Sequence, residues 1–231
     1  MAAVALVSGG LDSTVAATLA HRTHGLAAIV TADYGQRAAS REIAAAARIA
    51  RALAVPARVV DLRFLAAFTK TALVDRSRSL ELIDRTQLDD VAGAAAASMR
   101  AVWVPNRNGV LIAAAAAVAE SLGADAVVVG FNVEEAATFP DNTQEFIARS
   151  TAALELSTLN HVRVEAPTAA LDKIAIVRAG YANAAPMHAV WSCYGDGATH
   201  CFACESCLRL QRALRGAGVY ERFVAEWEGG Q

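Results

Sequence analysis

Val4-Ala5-Leu6-Val7-Ser8-Gly9-Gly10-Leu11-Asp12-Ser13-Thr14 is the stretch that decides the fold. The apolar run at 4–7 predicts a first strand, and the apolar-periodic run at 14–19 predicts a helix. Between them Ser8-Gly9-Gly10-Leu11-Asp12-Ser13 makes a tight turn. Its glycines permit positive φ and let a ligand approach the backbone. The helix that follows presents unpaired N–H groups and the positive end of its dipole. Strand, glycine turn and helix together form a phosphate cradle, which makes residues 7–14 candidate phosphate ligands. It has neither the Gly-Lys-Ser/Thr ending of a Walker A loop nor the G-x-G-x-x-G of a dinucleotide fold.

Downstream, the pattern repeats. Residues 27–32 read as a second strand that runs into Asp33-Tyr34-Gly35-Gln36-Arg37. A polar cluster at the carboxyl end of a strand is where open α/β sheets bind ligands, so Asp33, Tyr34 and Gln36 join the candidates. An Ala-rich helix over 42–53 is broken by Pro56, and 57–62 read as a third strand. The β-α-β-α-β order predicts a doubly wound, mostly parallel sheet. Residues 110–122 predict a strongly apolar helix, introduced by Pro105-Asn106-Arg107-Asn108. Residues 126–130 predict a buried strand, 143–156 a helix capped by Asp141 or Asn142, and 162–166 a fifth strand. Lys173 opens the next helix, where the dipole disfavours a cation, so it is read either as a phosphate ligand or as a solvated surface lysine. Glu134, Glu135 and Asp141, leaving a strand end, suit magnesium or purine N–H groups, or serve simply as acidic residues at a helix start. Residues 63–100 have no clear period. They are expected to hold one short helix (Phe64, Leu65, Phe68) and then an excursion that covers the site, packs on a partner subunit or lies as a surface loop.

The chain has 231 residues, 55% of them hydrophobic, and a net charge of −2. One sizeable α/β core fits that length, and the charge argues against bulk electrostatic binding of nucleic acid. No basic residue precedes the first strand, and the longest apolar run, 110–119, is too short to span a bilayer. No membrane association and a cytoplasmic location are expected.

All four cysteines lie in the tail: Cys193, Cys201, Cys204 and Cys207. Two x2 spacings let thiolates converge on one metal, and four ligands close a tetrahedral structural zinc shell. A [4Fe–4S] cluster is the competing reading. Helices after Glu205 and Tyr220, carrying Leu208, Leu210, Leu214 and Trp227, are expected to pack this knot on the domain. Residues 1–187 then form the α/β domain and 188–231 a small zinc-bound helical appendage within one functional unit.

The Ser8–Ser13 loop resembles that of the N-type ATP pyrophosphatases. Together with Asp33-Tyr34-Gly35-Gln36-Arg37, Val104-Pro105-x-Arg107-Asn108, Phe139-Pro140-Asp141 and the four-cysteine tail, taken in this order, it resembles the QueC family of 7-cyano-7-deazaguanine synthases. The family often has Pro-Gly-Arg-Asn where this chain has Asn106, and Gly-Tyr-Pro-Asp-Cys where it has residues 138–142. The resemblance implies a Rossmann-like fold of the adenine nucleotide alpha hydrolase type and a homodimer. It also implies conversion of 7-carboxy-7-deazaguanine and ammonia to the nitrile at the expense of ATP. Implied with it are ATP held by Val7, Ser8, Gly9, Gly10, Leu11, Asp12, Ser13, Thr14, Asp33, Tyr34 and Gln36, with magnesium and structural zinc. Asp12, Ser13, Arg107 and Lys173 are the expected catalytic groups. Arg107, Asn108, Glu134, Glu135, Phe139 and Asp141 are the expected substrate contacts. A tRNA-thiolating pyrophosphatase is the nearest rival, though its sulfur chemistry needs a reactive cysteine by the ATP site. GMP and NAD synthetases share the loop, but this chain has no room for a glutaminase domain. A non-catalytic nucleotide-binding regulator is the rival of another class.

Overall fold

The computed structural model describes residues 2–80, 88 and 101–229. Five strands form one sheet in the order β3-β2-β1-β4-β5, and all four pairings are parallel. They are β1 (Ala3–Leu6), β2 (Leu26–Asp33), β3 (Ala57–Asp61), β4 (Ala126–Val128) and β5 (Arg163–Glu165). The helices are α1 (Leu11–His24), α2 (Ala39–Ala52), α3 (Arg107–Ser121), α4 (Val133–Ala136), α5 (Gln144–Ser157), α6 (Lys173–Ala182), α7 (Glu205–Gly216) and α8 (Tyr220–Gly229).

Strand alternation assigns the two faces. Ala3, Ala5 and Val7 of the first strand and its exit pack with Ile29 under α1 and α2. Val4, Val30 and Val127 point the other way, onto Ile112 and Ala116 of α3 and Leu154 of α5. The alanines of α1, α2 and α3 let these helices sit close on a sheet of small residues. Helices therefore cover both faces, and the winding reverses between β1 and β4. That reversal opens a crevice at the carboxyl ends of these two strands, which is where ligands bind in such sheets.

The tail makes a third layer. Trp191, Leu210, Leu214, Phe223 and Trp227 share one core cluster with Leu11 and Val15 of α1 and Ile176 of α6. Each fully buried aliphatic side chain there, such as Ile176 or Leu214, stabilises by about 1.5–3 kcal/mol. The Trp191 N–H also donates to the carbonyl of Gly9 at 2.8 Å, which ties the tail to the phosphate loop.

Some local readings shift. The cap of α5 is Thr143, whose side chain accepts from the N–H of Phe146, and not Asp141 or Asn142. Pro140–Asn142 instead form a 3-10 turn. Arg63–Phe68 form the short 3-10 helix expected near Phe64. Part of the excursion that follows is anchored: Arg37 donates to the carbonyls of Ala72 (2.6 Å) and Asp75 (2.7 Å) and to that of Arg78. The rest of the excursion, 81–87 and 89–100, lies outside the described residues. Among the described residues, no helix is long and apolar enough to cross a membrane.

Candidate functional site

The crevice holds a cleft of about 300 Å³. Its floor is the turn after β1. Gly9 has φ +84°, and a Cβ there would stand 2.6 Å from that of Ala45 in α2. Across the crevice, a Cβ at Gly130, just past β4, would stand 2.6 Å from Cα of Ser13 and 2.7 Å from the carbonyl carbon of Asp12. Only glycine lets the end of β4 pass against the first turn of α1. The hydroxyls of Ser8 and Ser13 lie 3.3 Å apart, and Thr14 donates from both its hydroxyl (2.7 Å) and its N–H (3.1 Å) to the Gly10 carbonyl. The N–H groups of Leu11, Asp12 and Ser13 in that first turn have no intrahelical acceptor. These donors and the helix dipole give the cleft an anion end.

Beside it sits a buried cation. The ammonium of Lys173, 7% exposed, lies 2.6 Å from Asp12 Oδ2 and 2.8 Å from Glu135 Oε1. Lys173 is thus not a solvated surface lysine: it lines the cleft beside the loop and two carboxylates hold it. The start of α6 tolerates the lysine because Asp172 caps it and Glu134 Oε1 accepts the Lys173 N–H at 2.9 Å. Burial, with Glu135 close by, lifts the Asp12 carboxyl to about 6 against the pull of Lys173. Burial pushes Glu135 the same way, but Lys173 outweighs it and holds Glu135 below its usual range. The trio carries one net negative charge, and its acids titrate together. Asp12 Oδ1 is buried with no hydrogen-bond partner, an oxygen available to a divalent cation.

Glu134 lines the cleft, but its oxygens are engaged within the protein. Besides the Lys173 N–H it takes Arg212 at 2.6 Å, with Arg209 at 3.7 Å. Arg107 differs. It opens α3 after Asn106, which has φ +53° and occupies the left-handed position that glycine favours. Its guanidinium lies over the Tyr34 ring (5.7 Å) and donates to the Tyr34 hydroxyl at 3.4 Å. Among the described residues it has no ion pair, a cation facing open space.

The structure brings Val7, Ser8, Gly10, Leu11, Asp12, Ser13, Tyr34, Gln36, Arg107, Asn108, Glu134, Glu135, Phe139 and Lys173 to one cleft. Gly9, Thr14, Asp33 and Asp141 stand behind it: Asp33 accepts the Gly35 N–H (3.0 Å), and the Asp141 carbonyl accepts from Asn108 at 3.4 Å. Phe139 stacks on Trp103, ring centroids 6.2 Å apart. Glu42, Trp191, Tyr194 and Arg209 also line the cleft, and the sequence reading did not single them out. Glu42 sits in an Ala-rich helix with no motif around it, and the others lie among or beside the tail cysteines.

The four cysteine sulfurs lie within 4.8 Å of one another, with Cys201 and Cys207 3.9 Å apart and no disulfide. Tetrahedral thiolates about 2.3 Å from one ion sit about 3.8 Å apart, so the donor set fits a structural metal. Hydrogen bonds from its neighbours lower the Cys193 thiol, while Cys193 pushes Cys204 up to about 12. A divalent ion held by the four sulfurs would take them as thiolates. Cys193 also lines the cleft, so the knot forms part of its wall.

The fold and the loop define the class: an α/β protein with a glycine turn and an open helix N-terminus at the switch point of a parallel sheet. Within that class the chain belongs to the QueC family, whose model, described as queuosine biosynthesis protein QueC, matches residues 2–218. It is 46% identical to a 7-cyano-7-deazaguanine synthase of Pelotomaculum thermopropionicum, over 95% of this chain and 99% of that one. It is 39% identical to the protein of that name from Methanosarcina mazei, over 97% and 98%. Among solved structures, the NMN synthetase of Francisella tularensis is 13% identical, with a TM-score of 0.46 over 98% of this chain and 86% of that one. That likeness is too distant to bear on the site.

Proposed function

We propose that this chain converts 7-carboxy-7-deazaguanine to 7-cyano-7-deazaguanine with ATP and ammonia. The observation that carries the reading is the pairing of an anion end, formed by the open N–H groups of α1, with an unpaired Arg107 in one cleft of a QueC-family chain. A carboxylate is a poor electrophile, so it must first be activated. Its oxygen attacks the α-phosphorus of ATP, and pyrophosphate leaves. Ammonia then displaces AMP to give the amide. A second ATP activates the amide oxygen, and loss of AMP and a proton leaves the nitrile.

This chain's residues supply position and charge rather than a nucleophile. The α1 N–H groups and the Ser8 and Ser13 hydroxyls hold the phosphates. Magnesium, when bound, neutralises phosphate charge, and Asp12 Oδ1 is the oxygen free to hold it. Lys173 fixes Asp12 and Glu135 in register with the loop. Arg107 pairs with the substrate carboxylate and steers it to phosphorus. Zinc is the metal this reading gives to the tail knot, and sulfurs at most 4.8 Å apart support a single tetrahedral ion over the wider shell of a four-iron cluster. Residues 188–231 serve as a zinc-held appendage of the 1–187 domain in a cytoplasmic homodimer.

Pyrophosphate release that depends on the acid is the test. Release by the wild type and its loss in Asp12→Ala support an enzyme working through this loop. ATP binding without acid-dependent release points instead to a nucleotide-binding regulator.

A further inference from the structure

Glu42 on α2 lines the cleft, and neither the phosphate loop nor the Lys173 trio uses it. The Gln36 amide fixes its position: Gln36 Oε1 accepts the Tyr34 N–H at 2.9 Å, and Gln36 Nε2 donates to the Ala32 carbonyl at 3.0 Å. The same Nε2 donates to Glu42 Oε2 at 2.8 Å. Nothing else bonds this carboxyl: Glu42 forms no ion pair among the described residues, and Oε1 has no partner. Burial pushes the carboxyl up to about 7, with the Gln36 hydrogen bond and the charge of Arg107 opposing. An unpaired carboxylate held rigidly in a cleft is costly unless a ligand supplies its donors.

We infer that Glu42 is the specificity residue that reads the paired N–H donors of a guanine-type ring edge, while Arg107 holds the carboxylate on the opposite side of the same molecule. The inference rests on the reading of the cleft as an acid-plus-ATP site. Each carboxylate oxygen has two lone pairs, so the bond to Gln36 leaves both oxygens able to accept. A guanine-type edge presents two adjacent donors, the ring N1–H and the exocyclic amino group, which match a carboxylate in two parallel bonds. Adenine presents one donor beside an acceptor and mismatches it. The assignment therefore separates the acid from ATP within one cleft. Arg107 is itself seated over the Tyr34 ring, its guanidinium carbon 5.7 Å from the centroid.

The test uses the full chain, loaded with zinc, with 7-carboxy-7-deazaguanine and its analogue lacking the 2-amino group as probes. The wild type should show a KM for the analogue about 10- to 100-fold above that for the parent acid, the loss of one charge-assisted bond. Glu42→Gln should raise the KM for the parent acid by a similar factor and leave the KM for ATP unchanged. It should also narrow the discrimination between the two acids. Glu42→Asp, which keeps the charge, should restore part of that discrimination. Equal use of both acids by the wild type overturns the inference without requiring any variant to fold. A KM for ATP that rises along with that for the acid overturns it too. Absence of nitrile from the parent acid with the wild type defeats the reading of the cleft itself, and this inference falls with it; nitrile formed without discrimination defeats only the role of Glu42.

Discussion

Replacing Lys173 with methionine keeps the volume of the stem and removes the charge. Asp12 and Glu135, at 2.6 and 2.8 Å from the ammonium, then face each other without a counter-ion. Breaking a buried pair by deleting one partner costs about 3–5 kcal/mol. Glu135 keeps 35% of its side chain in solvent and Asp12 only 15%, so solvent relieves the first more than the second. The low end, about 3 kcal/mol, is therefore expected at pH 8. At about 2–4 °C per kcal/mol for a chain of this size, the melting temperature drops by roughly 6–12 °C. The sign with pH follows from linkage. Without the lysine, both acids have folded pKa values above their unfolded ones, so the folded variant binds more protons and its stability falls as pH rises through that window. In the wild type, Lys173 holds Glu135 below its usual value, which is stability present above about 4.5 and lost only in acid. The gap between the two proteins is thus widest near pH 8 and narrows toward pH 5. Scanning calorimetry of both across that range is the assay. A variant that melts with the wild type at pH 8, or a gap that widens in acid, refutes the role given to the pair.

Three further outcomes are expected. Gly130→Ala forces a Cβ against the backbone of Ser13 and Asp12, so ATP binding by isothermal titration should weaken at least tenfold while the far-UV spectrum is retained. Removing metal with a chelator, or Cys204→Ser, should lower the melting temperature and weaken ATP binding together, because Trp191 joins the knot to the Gly9 carbonyl; atomic absorption and titration of the same sample check this. Affinity for magnesium-ATP should fall as pH drops through about 6, where Asp12 takes up its proton.

What the sequence revealed depended on how local the physics was. The strand, glycine turn and helix of the loop are contiguous, and parallel buried strands read as apolar runs, so residues 4–7 and 126–130 gave away the sheet. Element ends drifted by a residue or two, as with β1 at Ala3–Leu6 and β5 at Arg163–Glu165. The α5 cap moved to Thr143 because Pro140 starts a 3-10 turn that uses up Asp141 and Asn142. Long-range facts were illegible. Lys173 meets an aspartate 161 positions away, and nothing near it in the chain announces that pairing. Glu42 looks like an ordinary polar position of an Ala-rich helix until Gln36 is seen to hold it. Gly130 looks like the end of a strand until the loop packs on it.

Mass spectrometry of the products from purified, zinc-loaded protein with 7-carboxy-7-deazaguanine, ATP, magnesium and ammonium tests the central claim most directly. The account predicts the nitrile, accompanied by two AMP and two pyrophosphate per molecule formed. Well-folded protein that releases AMP and pyrophosphate but makes no nitrile from this acid would contradict it.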